Sequence, residues 1–211
     1  DLRKQEAHSF RHYSCAHGLG HGFMAAYENE LFESLKACDT LTDAWEKEAC
    51  YSGIFIENAT AIDPSRPSKY LKADQPLYPC TEVGARYKNK CYEHQIAYTL
   101  YTQNDDYTKV FDLCATVAEE DSRPACYRGL GGSAAAHSIK YVTGDEAKAE
   151  AARKLCMLGE DNEARSNCVM GAVRNFIHYY NGDEQAKALC ESLDANLRTV
   201  CLRRSEDENF A

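Results

Sequence analysis

An all-α protein, an α-solenoid of disulfide-stapled antiparallel helical hairpins, is what this sequence predicts, and three observations predict it. Cysteines recur as five pairs, 38/50, 80/91, 114/126, 156/168 and 190/201, each separated by ten or eleven residues. Gly stands three positions after the second Cys at Gly53, Gly129 and Gly171. The segments leading into and out of the pairs carry helix signals rather than strand signals.

The repeat sets the register of everything else. Second cysteines fall at 50, 91, 126, 168 and 201, in steps of 41, 35, 42 and 33 residues, so the period is a double unit of about 76. One such period before Cys91 lies Cys15, which reads as the second cysteine of an earlier unit. Its partner belongs near Arg3 or Lys4, and neither is Cys. The expected organisation is one helical repeat domain over residues 1–211.

Each unit reads as two helices. Asp183 to Cys190 follows the turn residues Asn181-Gly182 and forms a short amphipathic stretch ending at its cysteine. Gly144-Asp145-Glu146 opens the matching stretch before Cys156. Second helices start at acceptors suited to an N-cap: Thr42 or Asp43, Asp121 or Ser122, Asp161 and Asp194. Pro124 fits a first turn, where a missing N–H is harmless. Pairing one helix end with a point two turns into the next is within disulfide reach for a tight hairpin. The segment 62–79 breaks the pattern, because Pro64, Pro67, Pro76 and Pro79 exclude a helix there. A non-helical surface loop is expected.

The helix ends "KALC" and "RKLC", the second Cys and the Gly after it resemble the Sel1-like and tetratricopeptide class of helical-hairpin repeats. The likeness is to the secreted, cysteine-rich versions with one disulfide per hairpin. What that resemblance implies is a binding scaffold rather than a catalyst.

Composition narrows the function classes. Apolar residues make up 44% and charged residues 27%, as in a folded domain. The net charge of −9, with 24 basic residues nowhere clustered, argues against nucleic acid as a partner. No run of eighteen apolar residues is present, so no membrane span is expected. No signal-like stretch opens at Asp1, so any targeting segment is expected to have been removed already. Zinc sites gather C-x2-4-C pairs, and no C-x2-C occurs, so the cysteine pairs read as disulfides. Disulfides imply an extracytoplasmic setting: periplasm, cell surface or secreted.

Unusual chemistry is confined to HSFRHYSCAHGLGHG, which holds His8, His12, His17 and His21 around Cys15. On a helix His8, His12 and Cys15 share one face. His17 and His21 share another, with Met24 and Glu28 further along it. Two candidate metal subsites follow, His8/His12/Cys15 and His17/His21/Glu28, and the ions such donors suit are Zn and Cu. If Gly18, Gly20 and Gly22 break the helix, one site gathers all five His and Cys donors. Against this stands the repeat itself: Gly129, Leu130 and Gly131 echo the same glycines, which then serve helix packing. Cys15 is expected to turn toward the core.

Offsets of three, seven, ten and eleven from each second Cys collect Glu57, His94, Tyr98, His137, Asn175 and His178, a polar strip suited to a peptide or small ligand. Asn58-Ala59-Thr60 matches a glycosylation acceptor. The expected function is therefore a scaffold that binds a protein, peptide or small ligand. A Zn or Cu protein using the N-terminal donors, or an enzyme using them, is the alternative.

Overall fold

The computed structural model describes residues 10–60, 68–180 and 182–208, with side chains over 12–60, 68–180 and 182–203. Over them the chain is all-α, with ten helices and no strand. It falls into two compact units that divide after Thr102. Unit one holds α1 (Phe10–Ala26), α2 (Leu31–Cys38), α3 (Ala44–Thr60) and α4 (Ala85–Thr102). Unit two holds α5 (Tyr107–Ala115), α6 (Arg123–Tyr141), α7 (Asp145–Cys156), α8 (Asn162–Tyr180), α9 (Glu184–Glu191) and α10 (Ala195–Glu208).

Helices start where short acceptors can take orphan N–H groups. Asp43 Oδ1 accepts from the amides of Trp45 and Glu46, Asp161 from Ala164, and Asp194 from Asn196 and Leu197. Pro124 sits in the first turn of α6. Two turns match each other. Glu28-Asn29 after α1 and Asn104-Asp105 after α4 are left-handed, and each leads into an extended cap residue, Glu30 or Asp106. Asp106 caps Lys109 N, while Glu30 takes Lys69 and the Tyr70 hydroxyl instead.

All five cysteine pairs are disulfides with the expected partners, and every one of the ten sulfur-bearing residues is buried. Four of them join the end of one helix to the interior of the next. The 80–91 pair departs from that pattern: residues 72–83 run through successive turns, and Cys80 does not end a helix. The prolines explain it, since Pro76 and Pro79 fall where a helix would need donors. Over 68–79 the loop is non-helical, as expected, but it is not loose. Tyr70 and Pro79 are buried, and the Pro76 carbonyl accepts from the side chains of Gln95 and Thr99. Pro64 and Pro67 lie outside the described residues.

In unit one α3 packs between α1 and α4, with α2 against α1 and α3; Met24, Leu35, Ile54, Phe55, Tyr92 and Ile96 fill the space. In unit two α8 packs between α6 and α10, around Leu130, Val169, Val173, Phe176 and Leu189. The seams are glycine contacts. A Cβ on Gly20 of α1 would lie 2.2 Å from the Cys50 carbonyl oxygen, and one on Gly53 of α3 would lie 2.1 Å from that of His17. The α6/α8 seam repeats this with Gly131 against Cys168 and Gly171 against Arg128, at 1.7 and 1.9 Å. Counted from its second Cys, each of these seams sets position three of one helix against position two of the other. Where α3 meets α4 the same positions are Ser52 and His94, joined at 2.7 Å.

Asp39, just after α2, ties three helices. Its carboxylate accepts from the hydroxyls of Tyr51 on α3 and Tyr87 on α4, with Arg86 alongside at 3.3 Å. Burial opposes its ionisation, but the two phenols and the charges of Arg86 and Lys47 outweigh it and hold the carboxyl below its usual value. Burial and Asp39 together push Tyr87 up to about 12. Asp39→Ala is expected to lose about 2–3 kcal/mol at pH 7, the scale of hydrogen bonds to a charge. A lowered folded pKa stabilises above the unfolded value near 3.9 and ceases to as pH falls through the folded value. Urea midpoints of wild type and variant should therefore differ at pH 7 and draw together as the pH falls below the ordinary aspartate range. A gap that stays constant removes the charge from this account.

Candidate functional site

α1 runs unbroken through Gly18, Gly20 and Gly22, because Gly20 is held against α3 and the other two face open space. A continuous helix separates the two predicted faces and rules out one site of all five donors. His8 lies outside the described residues. His12 Nε2 meets Glu46 Oε1 of α3 at 2.7 Å and its ring lies edge-on to Trp45. Cys15 is a free, exposed thiol, not an inward one. The equivalent Cys126 is buried because α5 covers it through Cys114. Among the described residues no helix precedes α1 to do the same.

His17 and His21 do come together. Their Nε2 atoms are 3.2 Å apart, and the rings are edge-to-face at 4.9 Å. Tyr13 stacks on His17 and touches Trp45, closing one end of the cluster. The carboxylate at the other end is Glu57, whose Oε2 is 2.7 Å from His21 Nδ1. Glu28 was the expected carboxylate, but it sits exposed in the left-handed turn past the end of α1. Among the described residues no three His, Cys, Asp or Glu side chains gather to hold a metal ion.

The seam is part-covered. Side-chain exposure is 36% for His21 and 46% for Glu57, so a small ligand can reach both. His17 is deeper, and its Nδ1 is buried without a regular hydrogen bond. A backbone contact with Ala49 favours the protonated ring. Burial first, then the neighbouring His21 and Lys90 of α4, push His17 below the ordinary histidine value.

The remaining polar positions differ in exposure. Tyr98 is buried, His137 is exposed beside Tyr141, and His178 is exposed. Asn175 is the counterpart of Glu57 in unit two, where it faces Gly132, the counterpart of His21. Asn58 is fully buried and accepts from Ser68, which closes the glycosylation string in the folded chain.

Comparison with models of known families, with curated proteins and with solved structures finds no match to this chain. Among the described residues no helix is long and apolar enough to cross a membrane. Five disulfides indicate an oxidising, extracytoplasmic environment.

Proposed function

We propose that this chain is a helical-repeat binding scaffold, an α-solenoid of disulfide-stapled antiparallel hairpins working in the periplasm, at a cell surface or after secretion. Its site is the α1/α3 seam, and its ligand is a protein, peptide or small molecule that meets His17, His21 and Glu57. One observation carries this reading. The α6/α8 seam reproduces the glycine contacts of α1/α3 but has Arg128, Gly132 and Asn175 at the three positions. Packing two such helices therefore does not require two imidazoles and a carboxylate. Polar side chains that the fold can omit, placed where solvent reaches them, are free to serve binding.

The test compares wild type with His17→Ala/His21→Ala. Stability in urea should change by no more than about 1 kcal/mol, as for part-exposed polar side chains outside the core. A random peptide-display library panned against both proteins should yield peptides retained by the wild type alone. Loss of more than about 2 kcal/mol would make the cluster a brace between helices, and equal retention of every peptide would remove it as a site.

A further inference from the structure

We propose that His17 and His21 hold a divalent transition-metal ion of the Cu2+, Ni2+ or Zn2+ type through their two Nε2 atoms, its other coordination positions lying outside the protein. This rests on the reading of the α1/α3 seam as a ligand site and gives that site an ion through which a bound molecule is held.

Geometry comes first. Two nitrogens about 2.0–2.1 Å from a tetrahedral ion stand about 3.3 Å apart, and cis nitrogens on a square-planar ion about 2.9 Å. The Nε2 atoms are 3.2 Å apart, between these values. They come from residues one turn apart on an unbroken helix, so the backbone fixes their spacing without a ligand.

Counting protons then decides what lies between them. Glu57 can only accept, so His21 Nδ1 carries a hydrogen and neutral His21 presents a lone pair at Nε2. Neutral His17 has one hydrogen to place. On Nε2 it reaches His21 but leaves a buried lone pair at Nδ1 with no hydrogen-bond partner. On Nδ1 it leaves two lone pairs to meet across the 3.2 Å gap. A cation between the rings satisfies both. A metal ion accepts both lone pairs and leaves each Nδ1 hydrogen in place.

The surroundings fit. A carboxylate on the far nitrogen of a ligating imidazole fixes the tautomer and strengthens the donor, and Glu57 stands in that relation to His21. Lys90 brings an opposing charge, but Glu93 pairs with it at 3.2 Å. With two imidazoles as the only protein donors, water or a donor from a bound molecule completes the coordination.

The experiment uses the full chain carrying Cys15→Ser, so that the exposed thiol neither reduces nor binds copper. CuCl2 and ZnCl2 are titrated calorimetrically at pH 7.5, and the copper sample is examined by electron paramagnetic resonance. One ion per chain is expected, with a copper spectrum showing two imidazole nitrogens. His17→Ala and His21→Ala should each abolish that two-nitrogen signature, and Glu57→Gln should weaken binding by about 10–100-fold. His12→Ala and His137→Ala should leave it intact. Binding of equal strength in His17→Ala/His21→Ala, or no saturable binding in the parent protein, overturns the proposal. If the double variant nevertheless stays stable and loses the displayed peptides, the scaffold reading survives the loss of the metal. If the double variant is destabilised, that reading fails on its own count.

Discussion

Removing all five disulfides is expected to abolish cooperative melting, leaving residual helix in the far-ultraviolet circular dichroism spectrum. Each bond closes a loop with a sequence separation of 11 or 12 residues, worth roughly 3 kcal/mol in the chain-entropy account. Together they match the whole net stability of an ordinary domain, about 5–15 kcal/mol. The interfaces between helices remain apolar after reduction, so local helix persists while the fixed register of the seams is lost. All ten half-cystines are fully buried, so a reductant acts only as fast as the structure opens. The cleaner measurement replaces pairs by Ala, which avoids burying hydroxyls or thiols. Cys156→Ala/Cys168→Ala should lower Tm by about 6–12 °C, and the five-pair variant should show no sharp transition. A five-pair variant that melts cooperatively within a few degrees of wild type would sink the claim that these bonds hold the fold.

How far this structure was legible follows from which signals are local. Helix starts at Asp43, Asp161 and Asp194 were readable because a cap acts within three residues of itself. The pairing of the cysteines was readable because it is sequential. The turn at Glu28-Asn29 was hard to read, since Glu is an uncommon occupant of the left-handed region, whereas Asn104-Asp105 is of the residue types that favour it. Cys15 departs from the expected inward position because the equivalent cysteines are buried under a preceding segment tied to them by a disulfide, a helix for four of them and the 72–83 turns for Cys91. At the candidate site the i, i+4 spacing of His17 and His21 gave the pair, but Glu57 is 36 residues from His21. A usable signal did exist. Position two of one seam helix meets position three of the next, so position six, His21, falls beside position seven, Glu57. Reading the glycines as contacts between particular helices, rather than as packing in general, would have brought the two together.

That register rule makes the second large prediction, which concerns substitutions of one methyl group. Gly20→Ala, Gly53→Ala, Gly131→Ala and Gly171→Ala should each destabilise by about 3 kcal/mol, at the upper end of overpacking costs. In each case the obstacle is a backbone carbonyl oxygen, 1.7–2.2 Å from the new Cβ. A side chain can rotate aside; a carbonyl inside a helix cannot move without giving up its own hydrogen bond, so the two helices must separate. Separation thins every contact along the seam, which is why one methyl reaches so far. Gly18→Ala and Gly22→Ala, on the same α1 but with nothing within 4 Å, should instead stabilise by about 0.5–1 kcal/mol, the ordinary gain of Ala over Gly in a helix. Six single variants melted side by side should divide by sign along this line. The double variant Gly131→Ala/Gly171→Ala carries a further expectation. Both methyls press α6 and α8 apart, so the first separation already makes room for the second, and the combined loss should fall short of the sum. Thermal melts giving full additivity would show that each clash is relieved locally, and the rigid-seam account would not survive that result.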